Sequence, residues 1–442
     1  MDKLAILVSK LSLQTIRGMG LGMGSNLPGR IARSISPKVL GRLALKSRQG
    51  VIAISGTNGK STTAGLLASI LRQAGHKLVH NREGANLVTG ITASLVEAAN
   101  IDGAIDADYI LLEIDEAALP VVAKEVRLIS VTVTNLFRDQ LDRFGELDTT
   151  ARLIASGIEQ NQSKAILNAD DPNVSQLGKN QQALFYGIEG FNEKGSQLQE
   201  LSYCTDCGKE IVYDAITYGQ LGDWRCSSCR HKRPRLDFFA SNIALFSTYS
   251  TFDLNAESQS ISVKLELPGL FNVYNAVAAS ATAFSLEVNF PSIKAGLSNY
   301  STLFGRSETV SIDGRKVFIQ LIKNPAGATQ ALKALVQNKD EMTVLIAIND
   351  NLADGRDISW LWDAEFELLA ELESNFIVSG QRAEDMAIRL KYAGVKQERI
   401  ECISDLQRAI QTGLRQTKTG GTLWLLPTYT CLLNLQKILK NV

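Results

Sequence analysis

The sequence predicts an α/β protein: a central phosphate-loop domain with a cysteine-bearing insertion, followed by a second, Rossmann-like α/β domain. Three observations carry that expectation. The loop Gly56-Thr57-Asn58-Gly59-Lys60-Ser61-Thr62 follows the apolar run Val51-Ile52-Ala53-Ile54 and opens a helical segment. Two Cys-x-x-Cys pairs, Cys204/Cys207 and Cys226/Cys229, lie in a stretch without helical periodicity. Beyond Gly305, short apolar runs again alternate with helical segments.

At 442 residues the chain exceeds one core, so two large domains plus a smaller module are expected. The 46 basic and 46 acidic residues cancel, which gives no global reason to expect nucleic acid or an anionic membrane as the main partner. Six cysteines, four of them in Cys-x-x-Cys pairs, fit a reducing cytoplasm rather than a secreted disulfide framework. No apolar run is long enough to span a bilayer, and no basic leader with a small-residue cleavage site opens the chain. A cytoplasmic protein with at most peripheral membrane contact is expected.

Residues 3–17 have the pattern of an amphipathic helix, with Lys3, Lys10 and Arg17 on the wetter side. Packing on the body of the protein is the expectation, because the helix's basic charge is sparse. The stretch 18–24 breaks this helix, and a second helical stretch runs from Pro37 to Lys46. From Val51 to Gly187, apolar runs at 77–79, 109–114, 128–133 and 165–167 alternate with helices, which implies a mostly parallel sheet covered on both faces. Ligands then belong at the carboxyl ends of its strands. Residues 202–235 read as an inserted module. A long helix begins near Asn272, and runs at 317–321, 343–348, 375–378 and 422–426 supply the strands of the last domain. The expected division is 1–48, 49–304 and 305–442.

The glycine-rich loop points to ATP. Glycines let backbone N–H groups turn towards an anion, Lys60 neutralises phosphate charge and the Ser61 hydroxyl can ligate Mg²⁺. In the usual spacing the first glycine falls at position 54, whereas here Ile54 holds that place and Gly56 follows. The cysteine pairs are 18 residues apart, the spacing of two knuckles closing one tetrahedral Zn²⁺ site through Cys204, Cys207, Cys226 and Cys229. Four thiolates leave no open position, so this zinc is expected to be structural. The neighbouring Arg225, Arg230, His231, Lys232 and Arg233 are expected to form a solvated face rather than a nucleic-acid site.

With Gly-Thr-Asn-Gly-Lys-Ser-Thr the chain resembles the Mur ligases and folylpolyglutamate synthases. Leu112-Glu113 resembles their strand-end glutamate that holds Mg²⁺. Thr134-Asn135 with Asp139-Gln140-Leu141-Asp142 resembles their Thr-Asn…Asp-His-Leu-Asp loop, and Asn168-Ala169-Asp170-Asp171-Pro172 their Asn-x-Asp-Asp-Pro turn. Gly269-x-Phe271-Asn272-x-x-Asn275 resembles the segment that meets adenine, and Gly305-Arg306-x-Glu308 the linker whose arginine faces the phosphates. Gln140 and Phe271 stand where those ligases carry histidines. Only about 50 residues precede the loop, too few for a UDP-recognition domain.

Five further segments extend the resemblance to the MurT family over essentially the whole chain: Leu27-Pro28-Gly29-Arg30, His80-Asn81-x-Glu83-Gly84-Ala85-Asn86, Phe137-Arg138-Asp139-Gln140, Lys323-Asn324-Pro325-Ala326-Gly327 and Asp354-Gly355-Arg356-Asp357-x-Ser359-Trp360. That resemblance implies ATP-dependent amidation of the D-glutamate α-carboxylate in lipid II, through an acyl phosphate, at the inner face of the membrane. Lys60 and Glu113 would serve phosphoryl transfer. Ammonia would come from a class I glutaminase partner of the GatD type in a heterodimer, since neither Cys402 nor Cys431 lies in a nucleophile turn. Asp357 matches the position that completes the partner's Cys-His pair. From the residues alone, Asp354 and Asp357 read equally well as caps of the following helix. A Mur-type or folylpolyglutamate-synthase-like amino acid ligase is the alternative, and a zinc-ribbon nucleic-acid-binding ATPase an alternative of another class.

Overall fold

The protein is described here from a computed structural model covering residues 1–18, 26–81, 85–137, 147–179, 182–192, 203–246, 248–301, 305–337 and 341–439. Its strands are β1 (Gly50–Ser55), β2 (Leu78–His80), β3 (Tyr109–Glu113), β4 (Leu128–Val133), β5 (Lys164–Asn168), β6 (Ala183–Ile188), β7 (Ile211–Tyr218), β8 (Leu221–Cys226), β9 (Phe238–Leu245), β10 (Ser250–Ala256), β11 (Gln259–Leu265), β12 (Arg306–Ile312), β13 (Arg315–Gln320), β14 (Met342–Ala347), β15 (Asn375–Ser379), β16 (Ile400–Cys402) and β17 (Thr422–Pro427).

Apolar runs without alternation, such as Val51-Ile52-Ala53-Ile54, are buried on both faces and form the centre of a nine-stranded sheet ordered β11-β10-β9-β6-β5-β4-β1-β3-β2. Neighbours from β2 across to β9 run parallel, as expected. One face packs on the helices Lys60–Gln73 and Leu270–Ser285, the other on Val88–Ala98 and Leu147–Asn161. The meander β9-β10-β11 adds an antiparallel edge that the apolar runs did not reveal. Its strands alternate instead: along β10, Ser250, Phe252, Leu254 and Ala256 are buried while Thr251, Asp253 and Asn255 turn outward.

A second sheet, ordered β12-β13-β17-β14-β15-β16, is parallel except for the β12-β13 hairpin. Helices Pro325–Val336 and Ala383–Tyr392 cover one face, Leu406–Gln416 and Tyr429–Leu439 the other. The helix expected over 3–17 spans Asp2–Gly18, and that expected over 37–46 is only Val39–Ala44. The Asp139-Gln140-Leu141-Asp142 motif lies outside the described residues.

Candidate active site and metal site

The phosphate loop leaves the carboxyl end of β1 and enters the helix Lys60–Gln73 at its N-terminus, where backbone amides and helix dipole favour an anion. Gly56 and Gly59 hold φ values of +116° and +84°. A Cβ on Gly59 would lie 2.0 Å from Asn275 Oδ1, so only glycine permits Asn275 to close on the loop. Thr134-Asn135 braces it from β4: Thr57 N–H donates to the Asn135 carbonyl (2.8 Å), Asn58 N–H to Asn135 Oδ1 (2.9 Å), and Thr134 Oγ1 to the Asn58 carbonyl (2.7 Å). The Asn-x-Asp-Asp-Pro turn supports that brace in turn. Asn168 Nδ2 donates to the Thr134 carbonyl (2.9 Å) and Asp171 accepts from Leu136 N–H (2.8 Å). Burial pushes the Asp171 carboxyl up to about 6, against the N–H groups of Leu136, Asn173 and Val174, which favour its charged form.

Ser61 Oγ donates to Glu113 Oε2 at 2.6 Å, with both side chains buried. A hydroxyl and a carboxylate meeting beneath a phosphate loop are the oxygen donors Mg²⁺ takes. Asn81 fixes Glu113 through its backbone, accepting from Glu113 N–H and donating to its carbonyl, each at 2.8 Å. Lys60 Nζ donates to the Gly56 carbonyl and pairs with Glu116 Oε1 at 3.1 Å. Burial pushes the Glu116 carboxyl up, opposed by the charge of Lys60. The sequence reading did not single out Glu116, although its place three residues past the strand-end glutamate was the available signal.

These groups open into a cleft of about 350 Å³ at the carboxyl ends of β1, β3 and β4. Phe271, Asn272 and Asn275 line one side, joined by Tyr218 from the end of β7. Lys323, Gln330, Asp354 and Thr428 line it from the second sheet. Asn324 Nδ2 donates to Asn58 Oδ1 (2.9 Å), and Lys323 Nζ reaches the Thr57 carbonyl (3.4 Å). The Lys323-Asn324 pair thus closes on the phosphate loop from 266 residues away, a contact no local pattern encodes. Arg306 opens β12, but its side chain lies outside the described residues.

The two aspartates of Asp354-Gly355-Arg356-Asp357 part company. Asp354 is buried and accepts from Thr430 N–H (2.7 Å) and Thr430 Oγ1 (2.5 Å), at the first turn of the helix Tyr429–Leu439. Asp357 is exposed, with Oδ1 accepting from Ser359 N–H at 2.8 Å. Cys431 is a core residue whose thiol burial pushes up to about 12, the reverse of what a nucleophile needs.

In the insertion, β7 and β8 form a hairpin that brings the four cysteines together, with all four sulfurs within 4.8 Å of one another. Cys204 and Cys229 Sγ lie 3.6 Å apart, Cys207 and Cys226 Sγ 3.4 Å. Metal–sulfur bonds of about 2.3 Å put tetrahedral sulfurs about 3.8 Å apart, so the set fits one metal ion. N–H groups of Cys229 and Ser228 donate to Cys226 Sγ and hold its thiol down at about 6. The solvated-face expectation fails for Arg233, which pairs with the fully buried Asp170 and donates to the Ile188 carbonyl. It is a structural tether, while Arg225, Arg230 and Lys232 remain exposed.

A phosphate loop whose cleft is closed by a second α/β unit defines a Mur-type ligase, and comparison with known proteins agrees. Family models for the Mur ligase middle domain and the MurT ligase C-terminal match residues 54–222 and 321–432. The fold resembles a pseudomurein peptide ligase type C from Methanothermus fervidus (24% identity, TM-score 0.70, covering 90% of this chain and 80% of that one). It also resembles MurF from Acinetobacter baumannii (20% identity, TM-score 0.70, covering 94% and 80%). The subunit of Staphylococcus aureus (strain N315) named "Lipid II isoglutaminyl synthase (glutamine-hydrolyzing) subunit MurT" is 37% identical over 396 residues, 89% of this chain and 88% of that protein. Its namesake from Streptococcus pneumoniae is 33% identical over 429 residues, 95% and 93%. The chain belongs to the MurT family. Neither the amino acid ligase nor the nucleic-acid-binding alternative is favoured by these matches.

Proposed function

We propose that the chain is the synthetase subunit of a glutamine-dependent enzyme that amidates the α-carboxylate of D-glutamate in the lipid II stem peptide, giving D-isoglutamine. The observation that carries this reading is the 37% identity to the S. aureus MurT subunit, which extends over 89% of the chain. A carboxylate has no adequate leaving group, so ATP must supply one. A carboxylate oxygen attacks the γ-phosphorus, the bond to the bridging oxygen breaks and ADP leaves, producing an acyl phosphate. Ammonia then forms the C–N bond, inorganic phosphate departs with the C–O electron pair, and a proton is lost.

Lys60 exchanges Glu116 for the terminal phosphate, with Lys323 as a second cation at the same edge. Ser61 and Glu113 would hold Mg²⁺, which spreads charge from the phosphoryl oxygens when bound. Gly56, Thr57, Asn58, Gly59 and Thr62 cradle the phosphates, Asn272 and Asn275 serve the nucleotide's base side, and Arg306 would meet the phosphates as its counterpart in the Mur ligases does. Cys204, Cys207, Cys226 and Cys229 would close one structural Zn²⁺ site. The work divides along 1–48, 49–304 and 305–442. A GatD-type glutaminase partner supplies ammonia in a heterodimer, and exposed Asp357 orients the partner's histidine across the interface. The reaction takes place in the cytoplasm, at the inner face of the membrane that carries the lipid-linked substrate.

The deciding experiment is co-expression with a candidate glutaminase and mass analysis of lipid II incubated with ATP and glutamine. One amide per stem peptide supports the reading. Failure with both glutamine and free ammonia refutes it, and addition of an amino acid instead would establish the ligase alternative.

A further inference from the structure

The N-terminal helix Asp2–Gly18 has two apolar faces. Ala5, Ile6 and Leu13 are buried, and the helix packs on Leu27–Ile35 and Val88–Ala98. Met1, Leu4, Leu7 and Leu11 form a second stripe that points outward, exposed by 88%, 56%, 41% and 54%. At one edge of the stripe lie Lys3 and Lys10. Ile101, beside the Asp102 that pairs with Lys3, and Leu27, at the start of the neighbouring helix, extend the exposed apolar surface.

Charge is also unevenly distributed. The first 48 residues hold nine basic side chains and one acidic, Asp2, in a chain otherwise balanced at 46 and 46. Asp2 pairs with Arg42, and the adjoining Asp102, Asp106, Asp108 and Glu125 are matched by Lys3, Arg48 and Arg33. Among the described residues Lys10, Arg30, Lys38 and Lys46 have no carboxylate partner. The helix itself is sparsely charged, but the layer it belongs to is basic.

We propose that this layer docks on an anionic phospholipid bilayer, the outer leucines entering the headgroup–acyl boundary and the surplus cations meeting lipid phosphates. Seventeen residues make a helix suited to lie in the interface plane, and no described helix is long and apolar enough to cross a membrane. A partner protein would cover the apolar stripe equally well, but the basic surplus of the layer that carries it matches an anionic surface.

Docking also has a geometric consequence for the cleft. Lys10 Nζ donates to the Glu97 carbonyl (2.9 Å) at the C-terminal end of Val88–Ala98, while Asn86 and Leu87 at that helix's other end line the cleft. One helix length, about 17 Å, separates the docked layer from the cleft rim. A carboxylate on a peptide tethered to that bilayer is thereby kept near the phosphate loop. This last step rests on the lipid-linked substrate proposed above; the docking does not.

Flotation of the full chain with phosphatidylglycerol-containing vesicles, and with phosphatidylcholine alone, tests the docking without any substrate. Binding should require the anionic lipid and weaken at high salt. The combined Leu4→Gln, Leu7→Gln and Leu11→Gln variant should bind at least about tenfold less, with unchanged melting, ATP binding and amidation of detergent-solubilised substrate. The Lys38→Glu, Lys46→Glu variant, which disturbs no packed side chain, should also bind less. No vesicle binding by the natural chain, or equal binding by both variants, overturns the proposal. If the leucine variant instead loses assembly with the glutaminase while keeping vesicle binding, the stripe is a protein interface. Amidation could persist under either failure, so the proposed function is judged separately.

Discussion

Lys60 shows how a single residue can be set in advance for a charge that arrives later. Half-buried beside Glu116 and the Gly56 carbonyl, it is compensated until a phosphate takes their place. Lys60→Ala should abolish amidation while leaving the fold and the metal content unchanged from those of the natural chain. Near-normal turnover by the folded variant would remove Lys60 from phosphoryl transfer. The paired aspartates give a sharper contrast. Asp354→Ala strips acceptors from Thr430 and should lower stability by about 2 kcal/mol, read by denaturant unfolding. Asp357→Asn should leave stability and ATP binding unchanged, impair glutamine hydrolysis by the complex and spare amidation driven by free ammonia. Normal glutamine hydrolysis would reduce Asp357 to a turn residue, and loss of ammonia-driven amidation would move it to the ligase site.

At the scale of elements, the cysteine insertion is part of the cleft wall. Trp224 is buried and donates Nε1–H to the Ala169 carbonyl (2.9 Å), Thr217 bonds Tyr274 (2.6 Å), and Tyr218 lines the cleft. The hairpin β7-β8 has a small core of its own, built from Cys204, Ile211, Trp224 and Cys226, so a metal held by the four cysteines is expected to carry much of its stability. Elemental analysis should find about one zinc per chain. Its removal by chelator should expose Trp224, shifting its fluorescence to the red, and weaken ATP binding through Tyr218. Persistence of both signals after verified metal loss would show that the hairpin is held by packing. Zinc-free, fully folded protein from reduced preparations would overturn the metal assignment itself.

For the whole molecule, the contact that matters is the one between the phosphate loop and the second α/β unit. Asn324 has two duties: Oδ1 caps the helix Pro325–Val336 by accepting from Gly327 N–H (2.9 Å), and Nδ2 reaches Asn58 on the phosphate loop. Asn324→Ser keeps a good cap but is too short to reach Asn58. It should therefore preserve stability to within about 0.5 kcal/mol while raising the KM for ATP several-fold, measured in steady-state amidation. An unchanged KM would mean that closure of the second unit does not depend on this bond.

Much of this was present in local sequence. Glycines at positions that must adopt positive φ, a lysine and a hydroxyl at the helix start, and two cysteine pairs at knuckle spacing are short-range patterns whose chemistry follows from residue type. The central strands were legible because burial on both faces leaves unbroken apolar runs, whereas β9 to β11, buried on one face, had to be read by alternation. Tertiary structure alone decided the rest. It separated Asp354 from Asp357 by burial, turned Arg233 from a surface charge into the partner of Asp170, and placed Glu116 against Lys60. It also brought Asn324 onto Asn58 and left the outer leucines of the first helix uncovered. The physical reason is common to all of these. Residue type fixes which interactions a side chain can make, but burial and partnership depend on segments distant in the chain, and only their packing selects among those interactions.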